Sequence, residues 1–194
     1  MATQLERRQA TRAATLKAAK RLFGERGFTA TTIDDVAATS RVAKGAVYHH
    51  FENKEALFEA VFDQVSEELL AETDRVARTE RDALAAMVKG TQAYFAACAK
   101  ATTGRIILHD GPAVLGWERW RDIDNRHFAG RFAAALARAM DDGLIARQPI
   151  EPLSRLLLGA VTEAAVACSG RDVRKAGADY ARAFEVLLDA LRVK

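Results

Sequence analysis

Cysteine is scarce in this chain of 194 residues: there are only Cys98 and Cys168. Far apart in sequence, and each inside an apolar stretch with helical spacing, they offer neither a disulfide framework nor a zinc site and read as buried thiols. Long apolar runs are missing too. None approaches the ~18 residues of a membrane-spanning helix, and residues 1–9 are polar and charged rather than a signal peptide. The expected location is the cytoplasm, with no membrane partner. The chain has no internal repeat, low-complexity tract, Gly-rich phosphate loop, nucleophile elbow or paired metal motif, so neither a cofactor nor a metal is expected. His109, Asp110 and Cys98 are the only basis for an enzyme. Neighbours on a helix point in different directions, so the His-Asp pair gives catalysis little support.

A large net charge is absent as well, at +3, but its placement is uneven. Residues 1–50 hold nine Lys or Arg against four Asp or Glu, whereas residues 51–194 hold twenty against twenty-two. One basic end on an otherwise balanced chain is the electrostatic footprint of contact with a polyanion. Hydrophobic residues make up 49% of the chain, which argues for a folded core.

The basic end contains a stretch, residues 31–51, that reads as two short helices and a tight turn. Thr32 and Asp35 have the spacing of a capping box, and Asp34 and Asp35 favour the positive helix start. Ile33, Val36 and Ala37 fall on one face. Ser40-Arg41-Val42 breaks the periodicity, and Val42, Ala46, Val47 and Phe51 form a second apolar stripe. Such short helices need a third to bury their stripes, supplied by residues from Ala10 to near Gly27, and the pair has the size of a helix-turn-helix reader of the major groove. The second helix presents Lys44, Gly45, Ala46, Tyr48, His49 and His50 outward, small residues followed by groups of phosphate reach. Residues 1–9, with Arg7 and Arg8, read as a frayed arm, either without a role or touching phosphates or the minor groove.

The run Ala43-Lys44-Gly45-Ala46-Val47-Tyr48-His49-His50-Phe51, followed by Asn53-Lys54-Glu55-Ala56-Leu57, resembles the DNA-binding domain of the tetracycline-repressor (TetR) family. That resemblance implies an all-α fold, with an N-terminal helix-turn-helix DNA-binding domain over residues 1–52 and a C-terminal helical domain over residues 53–194 for effector binding and dimerisation. It implies a homodimer on a double-stranded DNA operator, released by a small molecule, and places Thr32, Arg41, Lys44, Gly45, Ala46, Tyr48, His49, His50 and Lys54 at DNA-facing positions. His49, where Tyr is frequent, and Ala46, where a larger residue often reads a base, depart from the common pattern and bear on the operator sequence.

Asn53 can cap a fourth helix through Leu69, joining head to body, and Lys54 in its first turn is a cation at the positive helix end, which a phosphate would offset. Leu84, Met87, Thr91, Tyr94, Phe95 and Cys98 form a stripe that either fills the core or lines a cavity. Gly104, Gly111, Pro112 and Gly116 break up the next segment into a short helix, a break and another turn. A long helix then runs from Trp117 to about Met140, with Trp117, Trp120, Asp124, His127 and Phe128 on one face. An apolar pocket is expected between the Tyr94 stripe, the broken segment and this face, with Tyr94, His109, Trp117, Trp120, Asp124 and His127 as its polar or aromatic lining and a hydrophobic or aromatic effector as its occupant. The alternative for His109 and His127 is an ordinary core or boundary histidine. The last two helices, Pro152 to Ser169 and Val173 to Leu191, are apolar enough to need a partner, and Ala164 and Phe184 are expected at a two-fold seam. The alternative to an effector-controlled repressor is a DNA-binding regulator or architectural protein with a solid body and no ligand.

Overall fold

The computed structural model describes residues 3–168 and 173–193. Helix α1 spans Gln4–Arg26 and starts earlier than periodicity suggests. Thr3 Oγ1 accepts the Glu6 N–H at 3.2 Å while Glu6 Oε2 accepts the Thr3 N–H at 2.6 Å, so residues 4–9 are capped helix and not a frayed arm. The helix ends at Gly27, whose φ of +85° favours glycine.

Helix α2, Ile33–Ser40, opens with the expected capping box: the Asp35 N–H donates to Thr32 Oγ1 at 3.1 Å and the Thr32 N–H to Asp35 Oδ2 at 3.0 Å. Arg41 makes the turn in left-handed conformation, with φ 57° and ψ 37°, and helix α3 follows over Lys44–His50. Helix α4, Lys54–Ala77, is capped by Asn53, whose Oδ1 accepts the Ala56 N–H at 2.7 Å. The head core joins Leu22 and Phe23 of α1, Ile33 and Val36 of α2 and Val47 of α3 to Leu57, Phe58 and Val61 of α4. Rings of Phe23, Phe28 and Phe58 lie 5.3 to 5.8 Å apart at its centre. Residues beyond position 52 therefore complete the head's core.

In the body α5 (Ala83–Cys98) and α8 (Trp117–Asp141) pack on α4, while α9 (Ile150–Cys168) packs on α8 and α10 (Val173–Asp189) on α5 and α9. Between α5 and α8 the expected break is instead three helical pieces: α6 (Ala101–Gly104), a π-helical turn (Arg105–Asp110) and α7 (Gly111–Leu115). The reversal comes only at Gly116, with φ +75°. Gly104 and Gly111 are sites of close approach rather than breaks. A Cβ at Gly104 would lie 2.3 Å from the Cys98 carbonyl oxygen, and one at Gly111 would lie 2.7 Å from Phe62 Cε2. The expected end of the preceding seam helix at Ser169 and Gly170 falls outside the described residues. Among those described, no helix is long and apolar enough to cross a membrane.

Candidate DNA-reading face and effector cavity

Val47 and Phe51 pin α3 to the head core, which turns the rest of the helix outward. Lys44, Gly45, Tyr48 and His49 are exposed, while Ala46 and His50 are half-buried. A Cβ at Gly45 would meet nothing within 4 Å, so no internal packing demands a glycine there. Its smallness leaves room for a body approaching from outside. Thr32 and Arg41 are exposed on the same two-helix unit. Lys44 Nζ sits 2.9 Å from Asp34 Oδ1, an exposed pair that raises the pKa of the ammonium and that a phosphate could replace. His50 lies near Arg8 and Arg12, and its pKa is lowered first by burial and then by the charges of His49, Arg8 and Arg12, which favours the neutral ring.

Lys54 is placed differently from the expectation of an outward cation at a helix start. Its Nζ donates to the carbonyls of Phe28 at 3.0 Å and Thr31 at 3.1 Å and stands 4.1 Å above the Phe28 ring. Those carbonyls, rather than a phosphate alone, offset its charge, and the side chain ties the loop after α1 to α4.

The body contains a cavity of about 190 Å³, walled by α4 through Leu70, Thr73, Asp74 and Ala77, by α5 through Met87, Thr91 and Tyr94, by α8 through Asp124, Phe128 and Phe132, and by α9 through Leu158, Val161 and Thr162. Asp124 is buried, and its Oδ2 accepts the Thr162 hydroxyl at 3.1 Å. Burial pushes its carboxyl up to about 6, against the lowering effects of that hydrogen bond and of the charges of His127 and Arg121. Tyr94 is also buried and its phenol is held well above the ordinary value, first by desolvation.

Of the six expected lining residues, only Tyr94 and Asp124 reach this cavity. Trp120 is fully buried, with its indole N–H donating to the Ile107 carbonyl at 3.2 Å, and so serves as a strut between α8 and the π turn. Trp117 is exposed at a second, more polar pocket of about 560 Å³, which Arg121 and Asn125 also line and which shares Leu158 and Thr162 with the cavity. His127 Nε2 lies 2.9 Å from Asp63 Oδ1 on α4, facing away from the cavity wall. His109 is exposed, and its Nδ1 lies 2.8 Å from Asp110 Oδ1, so these neighbours do touch, contrary to the expectation from an ordinary α-helix. The cavity sits one helix further along than expected because α6, the π turn and α7 pack on α1 and α4 instead of forming its wall. Thr162 and Phe132 were missed. Both lie outside the faces read from the sequence, and only the packing of α8 and α9 turns them into lining.

Comparison with known proteins bears on both halves of the chain. The family of bacterial regulatory proteins named for tetR matches residues 16–61, and the "Tetracyclin repressor-like, C-terminal domain" family matches residues 84–191, more than half of the chain. The chain belongs to the TetR family. It is a helix-turn-helix transcription regulator, with the N-terminal reading domain and helical C-terminal domain of that family. The Transposon Tn10 TetC protein of Escherichia coli is 25% identical over 159 residues, covering 80% of this chain and 79% of the relative. A TetR-family regulator from Pectobacterium atrosepticum superposes with a TM-score of 0.88 at 30% identity, covering 100% of this chain and 99% of the other. RolR in complex with the ligand resorcinol has the same fold, with a TM-score of 0.76 at 17% identity over 95% of this chain and 90% of the other.

In this TetR-family chain the head is bolted to the body at a second place besides α4. Asp110, buried in the π turn, accepts the Phe28 N–H on Oδ2 at 2.8 Å, and Arg105 Nη1 donates to the Glu25 carbonyl at 2.6 Å. A Cβ at Gly24 would lie 2.1 Å from Thr102 Cγ2, so α1 and α6 touch where only glycine fits. Cys98 is buried and its thiol is pushed up to about 12, which leaves no thiolate at neutral pH. No group of three or more His, Cys, Asp or Glu among the described residues could hold a metal ion.

Proposed function

We propose that this chain is a ligand-responsive repressor of the cytoplasm, a homodimer that a small effector in the body releases from a DNA operator. One observation carries the reading: helix α4 walls the cavity with Leu70, Thr73, Asp74 and Ala77 and, at its other end, completes the core of the reading head with Leu57, Phe58 and Val61. An effector that shifts the cavity end of α4 moves the head with it. A second route runs from Asp124 one turn back along α8 to Trp120, across its hydrogen bond to Ile107, along the π turn to Asp110 and across to Phe28. The ligand must bind one head arrangement more tightly than the other, because equal affinity shifts nothing.

Thr32, Arg41, Lys44, Gly45, Ala46, Tyr48, His49 and His50 form the DNA-facing set in this reading, with Lys54 supporting it from behind. The seam uses the outer faces of α9 and α10, where Leu156, Val186 and Leu187 are exposed. The bound resorcinol of RolR supports a small flat molecule as the kind of occupant that this fold accepts. The cavity favours the effector reading over a regulator with a solid body. Fluorescence anisotropy on a duplex that the protein selects from a random pool, repeated with a library of monocyclic amines, phenols and acids, tests it. At least one compound should release DNA from the wild type and none from Ala135→Trp, whose indole would fill the cavity. Equal release from both proteins, or from neither, contradicts the reading.

A further inference from the structure

We propose that the effector is a small lipophilic amine, bound as the ammonium against Asp124 with its hydrocarbon among Tyr94, Phe128 and Phe132. This rests on the cavity being the effector site, and it adds the chemical class of the occupant. Four ionisable side chains line the cavity: Asp74, Tyr94, Asp124 and Arg131. Asp74 and Arg131 neutralise each other, with Arg131 Nη2 at 3.0 Å from Asp74 Oδ2. Asp124 has no such counter-charge. Its hydrogen bond comes from the neutral Thr162 hydroxyl, and the bases nearest to it are engaged elsewhere, Arg121 over the Trp117 ring at 5.8 Å and His127 on Asp63. A buried carboxylate is costly unless paired and hydrogen-bonded, so the ligand group that gains most there is a cation that donates hydrogen bonds.

The remaining walls agree. Tyr94 and Phe128 meet edge to face at 5.8 Å, and Phe132 lies one turn further along α8, so three aromatic rings surround the space beside the carboxylate. Ring faces beside a carboxylate are the usual surroundings of a bound ammonium. The space is large enough for the class: about 190 Å³, against the ~150 Å³ cavity that accepts benzene, takes one ring, two or three further heavy atoms and a protonated nitrogen. An anionic ligand would meet Asp124 as a like charge.

The test uses three matched probes on the full-length protein by isothermal titration calorimetry at pH 7.5: 2-phenylethylamine, 2-phenylethanol and phenylacetate. The amine should bind roughly tenfold or more tighter than the alcohol, because it adds an ion pair to a hydrogen bond that both can donate to the carboxylate, and phenylacetate should bind most weakly. Asp124→Asn keeps the shape and removes the charge, so the amine should lose its preference over the alcohol. Amine and alcohol binding alike in the wild type overturns the proposal while leaving the cavity as a binding site. An amine preference that survives in Asp124→Asn overturns the assignment to Asp124. Binding by none of the three at about 10 mM removes the cavity as a site for molecules of this size, and the proposal with it. The wild-type ratio keeps the test decisive should the Asn variant not fold.

Discussion

Arg41 occupies the left-handed position at the centre of the helix-turn-helix, where a glycine would sit without strain. Arg41→Gly should therefore leave folding stability within about 1 kcal/mol while weakening DNA binding through the lost cation. Lys44→Ala should likewise spare the melting temperature, because its partner Asp34 is exposed. If each cation meets one phosphate, either variant should flatten the slope of log affinity against log salt by about one unit. Lys54→Ala differs, since it removes two carbonyl hydrogen bonds and should lower the melting temperature as well as the affinity. Melting curves and salt titrations of the three variants separate these roles. The sequence placed Thr32, Asp35 and Asn53 correctly because a cap needs only residues three apart. It could not place Lys54, whose carbonyl partners belong to the loop after α1.

Asp124 gives a second prediction at this scale. Its carboxyl titrates at about 6 in the folded chain against 3.8 ordinarily. Between those values the folded state holds a proton that the unfolded chain has released, so stability falls as pH rises from about 4 to about 6 and stays lower above it. The loss is on the order of 3 kcal/mol. Asp124→Asn removes it, and calorimetric melting should show the variant more stable than wild type at pH 7.5, with the advantage shrinking toward pH 4.5. The facing groups are Arg121 and His127 on α8 and Tyr94 and Cys98 on α5. Equal pH dependence of the two proteins would locate the titration elsewhere.

Among the elements, the π turn between α6 and α7 departs furthest from the sequence reading. Gly104, Gly111 and Pro112 look like breaks because glycine and proline punctuate most chains. Here the glycines allow close packing: Gly111 lies against Phe62 and Trp120, and the chain stays helical through Pro112. Only tertiary contact could reveal that, and the same holds for Trp120, legible as a core-facing indole but not as a strut to Ile107. The π turn holds the head through Asp110, so Asp110→Ala strands the Phe28 N–H and should cost about 1–3 kcal/mol. It should also weaken coupling, leaving DNA bound at an effector concentration that empties the wild type. Full effector response in that variant would assign transmission to α4 alone.

For the molecule as a whole, the apolar character of the last two helices was plain, but not which side faces the protomer's own core. Phe184 and Ala164, expected at a dimer seam, are buried within one protomer, Phe184 with its ring 6.2 Å from that of Phe132. The apolar stripe of α10 is wide, and periodicity does not say which of its edges faces inward. The outer faces carry Leu156, Val186 and Leu187, which are 73%, 63% and 52% exposed. Leu187→Glu should therefore yield a folded monomer by sedimentation at micromolar concentration where the wild type should be a dimer, whereas Phe184→Lys should unfold the protomer. A monomeric wild type would remove the dimer from the account.

The exposed face of α3 as the reader of duplex DNA is the claim on which the rest depends, and Ala46 at its middle tests it most directly. Duplexes selected from a random pool by the wild type should bind Ala46→Asp at least a hundredfold more weakly at equal salt, on the order of 3 kcal/mol, because the added carboxylate would face the phosphates and base edges while the half-buried site tolerates the small side chain. An Ala46→Asp variant that melts with the wild type and binds those duplexes equally well would contradict the account.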